Sequence, residues 1–188
     1  MDAMHQTVGI PETMLSPLEE AMPVILNVDG IIDWLRRNWR WFLSADRVGR
    51  NHSPELLVEL WGDLDCDAEP AAICNAWEVA EWPLRCLDPA IWRELWESVG
   101  YVENGRPADR PKGPLTLYRG GHPHGWSWTD NLETAKFFAN RPIQKHRHVY
   151  SAVVDTELLF AHIHDQDGRG EHEYVVRGDQ MQSVRLEL

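Results

Sequence analysis

Two carboxylates one residue apart, Glu171 and Glu173, stand at the entrance to Tyr174-Val175-Val176, a β-branched and aromatic run with the composition of a strand. Strand side chains alternate between faces, so the two carboxylates share one. Like charges that close repel unless each has its own partner or task. A solvated strand end is the plain alternative, and the pair alone does not displace it. Two further segments carry functional groups. Leu115-Thr116-Leu117-Tyr118-Arg119-Gly120 is strand-like and ends in Arg-Gly. Ser127-Trp128-Thr129 then brings two hydroxyls, with five residues between it and Ala135-Lys136-Phe137-Phe138-Ala139. Taken singly, Arg119 reads as a surface arginine at a strand end, and Ser127 and Thr129 as ordinary strand and cap hydroxyls.

Histidines offer a different chemistry. His122/His124, His146/His148 and His162/His164 are three His-x-His pairs, and His172 sits between the two glutamates. On strands each pair shares a face, and converging imidazoles with Glu171 or Glu173 could hold a metal ion. No pair has a recognised zinc-partner spacing, however, and His146-Arg147-His148 lies in a basic loop. The histidines are read as isolated surface residues, and no metal ligand is assigned.

Taken in order, the carboxylate, arginine and hydroxyl segments resemble the mono-ADP-ribosyltransferase superfamily, in its Arg/Ser/Glu class. That family carries Tyr-Arg-Gly on its first strand, a Ser-Thr-Ser-like strand running into an Ala-x-x-Phe helix, and Glu-x-Glu before a strand. All three motifs occur here in that order within residues 114–188. The resemblance implies a reaction that breaks the bond between nicotinamide and ribose in NAD and passes ADP-ribose to an acceptor. Its oxocarbenium-like transition state needs a fixed negative charge beside the ribose, as the carboxylates of glycosidases provide. By resemblance, Glu173 holds the ribose 2′-hydroxyl and stabilises that cation. Arg119 grips NAD phosphate through a planar, always-charged fork, and Gly120 lets the backbone approach the nicotinamide amide. Ser127 positions the glutamate and the nicotinamide ribose, Thr129 supports that strand on the NAD side, and Glu171 polarises the acceptor. Glutamate at the position of Glu171 accompanies arginine acceptors in the family, so an arginine of a protein is the expected target. Hydrolysis of NAD to free ADP-ribose is a variant of the same chemistry.

One feature departs from the family. Only seven residues separate Arg119 from Ser127, where relatives place a longer segment that embraces NAD, so Gly120-Gly121-His122-Pro123-His124-Gly125 must replace it. Trp128 also stands between the hydroxyls; on a strand it faces away from Ser127 and suits a core. The small, Trp-rich build is similar to phage-encoded proteins, which implies modification of a host protein. Two other readings stay open: an inactive relative that binds a macromolecule through its acidic half, as an inhibitor does, and a metal-dependent hydrolase using the histidines.

The elements that must position these residues divide into a helical half and a β-rich half. Residues 1–24 lack periodicity and contain Pro11, Pro17 and Pro23, so a flexible tail is expected. Apolar residues then recur at three- and four-residue spacing from Ile31 to Phe42. Ser53-Pro54-Glu55 marks a helix start with Ser as cap. Another helix is expected from Ala71 to Trp82, stopped by Pro83, and a further one from Asp88-Pro89 to Val99 with Gly100 as its cap. Residues 104–114 read as a turn-rich hinge. Beyond it come strands at 115–118, 149–154, 158–163, 174–176 and 184–188, and a helix opened by Asp130-Asn131-Leu132-Glu133 and ending at Ala139. The expected fold is α+β: a tail (1–24), a Trp-rich helical module (25–110), and a β-rich ADP-ribosyltransferase-like half (111–188) on which the module packs.

Eight of the ten Trp precede Gly100, and their helical spacing makes them core rather than stacking platforms. Of the net charge of −12, −11 falls before Pro111, where nine Lys/Arg face twenty Asp/Glu. Such a surface opposes direct nucleic-acid binding; it suits a basic protein partner or solubility, and solubility is the reading taken. No run approaches eighteen apolar residues, so no membrane span is expected, and no basic-then-apolar leader is seen. Cys66, Cys74 and Cys86 are odd in number and lie on helix-like segments, which points to buried thiols in a reducing cytoplasm.

Overall fold

In the computed structural model, the described residues are 41, 45, 48–142, 148–164 and 172–186. The expected tail, most of the expected first helix, Glu171, His146 and the last two residues lie outside them. The described residues belong to one compact unit, and most helices precede the strands, with one helix between strands in the second half, an α+β arrangement.

Trp41, Ala45 and Val48 are helical. Four helices follow: α1 (Ser53–Leu60), α2 (Glu69–Val79), α3 (Pro83–Cys86) and α4 (Pro89–Val99). Each has Pro in its first turn, where a missing N–H leaves no bond unmade. The same rule explains why Pro83, expected only to stop a helix, opens α3, while α2 begins and ends before its expected limits. In α4 the expected caps are present: Asp88 accepts from the Ala90 amide at 2.8 Å, and Gly100 takes φ 73°. In α1 the expected Ser cap is absent. Ser53 is already helical, His52 precedes it without a side-chain cap bond, and the buried Ser53 hydroxyl has no partner among the described residues.

The strands are β1 (Val102–Glu103), β2 (Arg106–Pro107), β3 (Leu115–Gly120), β4 (Ser127–Trp128), β5 (Val149–Val154), β6 (Leu159–His164), β7 (His172–Val176) and β8 (Val184–Leu186). They form a five-stranded sheet ordered β2-β1-β6-β7-β4 and a three-stranded sheet ordered β3-β5-β8. The expected hinge instead contains a hairpin: Asn104 (φ 47°) and Gly105 (φ 73°) turn β1 back on β2, as a tight two-residue turn demands. β1 also pairs in parallel with β6. Helix α5 (Leu132–Ala139) is capped by Asn131, whose side chain accepts from the Glu133 and Thr134 amides, not by Asp130.

The helices cover one face of the five-stranded sheet. There Trp41, Leu57, Trp77, Trp92 and Trp96 pack with Val102, Ala161, Ile163 and Val175. Burying large aromatic rings at this contact removes apolar area from water, which favours the packing. Trp61 and Trp82 are only half-buried. The other face meets the small sheet through Trp128, Leu159, Tyr174 and Val176 against Leu117, Ala152 and Val154, so Trp128 is core as its strand position implies. Helix α5 closes the outside of the small sheet through Ala135, Ala139 and Val149. No helix among the described residues is long and apolar enough to cross a membrane.

Candidate functional site

Glu173 lies inside β7, not at its entrance, and strand register decides its neighbours. Ser127 of β4 is the cross-strand partner of Val175, and Glu173 is two residues from Val175 on the same strand. Directly opposed residues share a face and alternate residues return to it. Ser127 and Glu173 therefore both project from the sheet face that meets the helices. The carboxylate is met there by α2: the Trp77 indole Nε1 donates to Glu173 Oε1 at 2.8 Å. Trp77 is wedged edge-on to Trp92 (ring centroids 5.1 Å apart) and stacked on Trp126 at 6.1 Å, so its N–H has a fixed direction.

Arg119 comes from the other sheet and reaches the same neighbourhood. Its Nε donates to the His122 carbonyl at 2.7 Å and its Nη1 to the Ser127 carbonyl. The guanidinium thus ties both ends of the short loop between β3 and β4. Trp128 Nε1, bonded to the Gly125 carbonyl at 2.9 Å, holds its middle. Burial lowers the Arg119 pKa to about 10, opposed by the charge of Glu173, and the side chain is a cation throughout the neutral range. Arg119, Ser127 and Glu173, carried by three strands of two sheets, are brought together. Arg119 serves the loop backbone, a partner set that its expected task of gripping phosphate did not include.

The remaining expected residues have other surroundings. Gly120 faces α5: a Cβ there would overlap the Ala135 carbonyl oxygen and the Ala139 amide nitrogen. The close approach that requires glycine is therefore made by a helix. Thr129 is buried, bridges to Tyr118 through the backbone, and accepts from the Asn131 amide at 3.1 Å, which fixes the entry to α5. Glu171 lies outside the described residues. Of the cysteines, Cys74 alone is buried, its thiol pushed up to about 12 by burial; Cys66 is exposed, against the expectation of buried thiols.

On the opposite face of the same sheet stands a second group of polar side chains. Glu103 of β1 is the parallel partner of His162 on β6, and His162 and His164 oppose Tyr174 and His172 on β7. His164 Nε2 lies 2.9 Å and His162 Nδ1 3.7 Å from Glu103 Oε1. His162 stacks on Tyr174, ring centroids 4.0 Å apart. Burial, with neighbouring His164, lowers the His162 pKa to about 4 against the pull of Glu103, so its ring is neutral at ordinary pH.

Trp77 and Glu103 were not legible as site residues. Trp77 has the same helical spacing as Trp92 and Trp96, which pack in the core, and Glu103 sits in a stretch without periodicity. Compared with known proteins, the chain matches no family model, no curated protein and no solved structure.

Proposed function

We propose that the chain is an NAD-dependent mono-ADP-ribosyltransferase, passing ADP-ribose from NAD to an arginine of a protein. The setting proposed is that of a phage effector acting on a host protein in the cytoplasm. The observation that carries this reading is the convergence of Glu173, Ser127 and Arg119 at one edge of the helix-facing sheet surface, with the carboxylate held by Trp77.

These residues fit a nicotinamide ribose. With Oε1 held by the indole, Glu173 presents a carboxylate of fixed orientation, and Oε2 is the oxygen to receive a ribose hydroxyl. As the ribose–nicotinamide bond breaks, its electron pair leaves with nicotinamide and positive charge develops on the sugar. A preorganised carboxylate stabilises that charge without reorganising at the moment of reaction. Ser127, on the same face, is placed to orient the ribose. Arg119 braces the loop that closes over it, and its charge assists binding of the pyrophosphate from the side.

Incubating the protein with labelled NAD and host lysate tests the transfer. Label on a protein, lost with Glu173→Gln, is expected; label that persists in the variant contradicts the reading. A second reading is favoured by one observation, the commitment of Arg119 to two loop carbonyls: an inactive relative that binds a macromolecule through its acidic helical half. Wild-type protein that transfers nothing and cleaves no NAD supports it.

A further inference from the structure

We infer that Glu103, His162 and His164 form a binding site for a divalent first-row transition ion, of which zinc is the type. Each residue offers one ligand atom, and these atoms all lie within 4.8 Å of one another. In a tetrahedral site with metal–ligand bonds of about 2.0–2.1 Å, ligand atoms are about 3.3–3.4 Å apart. The separations here, 2.9 Å from Glu103 Oε1 to His164 Nε2 and 3.7 Å to His162 Nδ1, bracket that value. Two imidazoles and one carboxylate form a donor set taken by zinc and its neighbours, with a fourth position left for water. Glu103 is exposed and gives the ion a way in.

Two features show that these groups are not already satisfied by one another. His164 Nε2 faces an acceptor, the Glu103 carboxylate, and a donor, Asn104 Nδ2 at 3.2 Å. The amide orientation is fixed because Asn104 Oδ1 accepts from the His164 backbone N–H at 2.8 Å. One ring nitrogen cannot both donate to the carboxylate and accept from the amide; a cation between Nε2 and Oε1 draws the lone pairs of both. His162 Nε2 is buried with no hydrogen-bond partner among the described residues, and Nδ1 lies 3.7 Å from Glu103 Oε1, beyond hydrogen-bond reach, so that carboxylate does not hold the ring by a hydrogen bond. The backbone holds the three in place: Glu103 and His162 are register partners, and His164 follows on the same face. A bound ion would clamp the β1–β2 hairpin to β6, on the opposite side of the sheet from Glu173, so the site does not depend on the proposed transfer reaction.

The test is equilibrium dialysis of the full chain, stripped with chelator, against Zn²⁺ alone, with Co²⁺ absorption as a second readout. The controls are His122→Ala and His124→Ala, which lie elsewhere on the surface. One equivalent is expected to bind, with tetrahedral-type Co²⁺ bands. Glu103→Gln and His164→Ala, both of exposed or half-exposed residues and checked for folding by circular dichroism, should each weaken binding at least tenfold, while the controls leave it unchanged. Absence of stoichiometric binding, or equal binding by Glu103→Gln and His164→Ala, overturns the inference.

Discussion

At the scale of single residues, the decisive contact is between an indole and a carboxylate. Trp77→Phe keeps an aromatic ring in the stack with Trp126 but removes the donor to Glu173. A hydrogen bond to a charged group contributes about 1.5–3 kcal/mol, so a moderate loss of stability is expected. NAD cleavage should fall further than stability does, through a poorly oriented carboxylate. Comparing melting temperature with cleavage rate separates the two, and a variant that melts lower with an unchanged rate removes Trp77 from the site. The cysteines give an independent check on the core. Cys66 is exposed, whereas the Cys74 thiol, raised to about 12 by burial, is protonated at pH 8, and the thiolate is the reactive form. Titration with a thiol reagent at pH 8 should label Cys66 first and leave Cys74 unmodified until denaturant is added.

At the scale of elements, two glycines test how the loop between β3 and β4 is held. Gly120→Ala drives a methyl group into the backbone of α5 at Ala135 and Ala139. Neither partner can rotate away, and overpacking of this kind costs about 1–3 kcal/mol, roughly 2–12 °C of melting temperature for a chain of this size. Gly125→Ala meets the Arg119 guanidinium instead, a side-chain end that can retreat by giving up its loop carbonyls. It should cost less stability and more activity than Gly120→Ala; the reverse order, from thermal melts and NAD cleavage side by side, would show that Arg119 does not brace the loop. The elements differ in how far they are written locally. α4 carries both its start signal, Asp88, and its stop signal, Gly100, at its own ends and was legible to the residue. The motif strands β3 and β7 were legible from their β-branched and aromatic composition. β1 and β2 were not: two-residue strands have no period, and β1 is ordered by pairing with β6, more than fifty residues away. Ser53 was misread because a Ser-Pro pair fits a cap followed by a first helical residue as well as the first two helical residues.

At the scale of the whole molecule, the helical half is part of the candidate site. It supplies Trp77 to the carboxylate and, through the Trp core, the rigid wall on which β7 and β4 rest. The convergence of Arg119, Ser127 and Glu173 was suggested by the order of three motifs. The distribution of tasks among them was not, because the partners of Arg119 are backbone carbonyls, which leave no trace in residue types. That Ser127 and Glu173 share a face, with His162 and His164 on the other, follows from register, which depends on pairings between distant segments. The central claim is that the Glu173 carboxylate stabilises a developing sugar cation, and nicotinamide release from NAD by purified wild-type and Glu173→Gln protein tests it most directly. A fall in kcat/KM of roughly 10²–10³-fold, with melting temperature held within a few degrees, is the predicted result. Equal rates in the two proteins would contradict it.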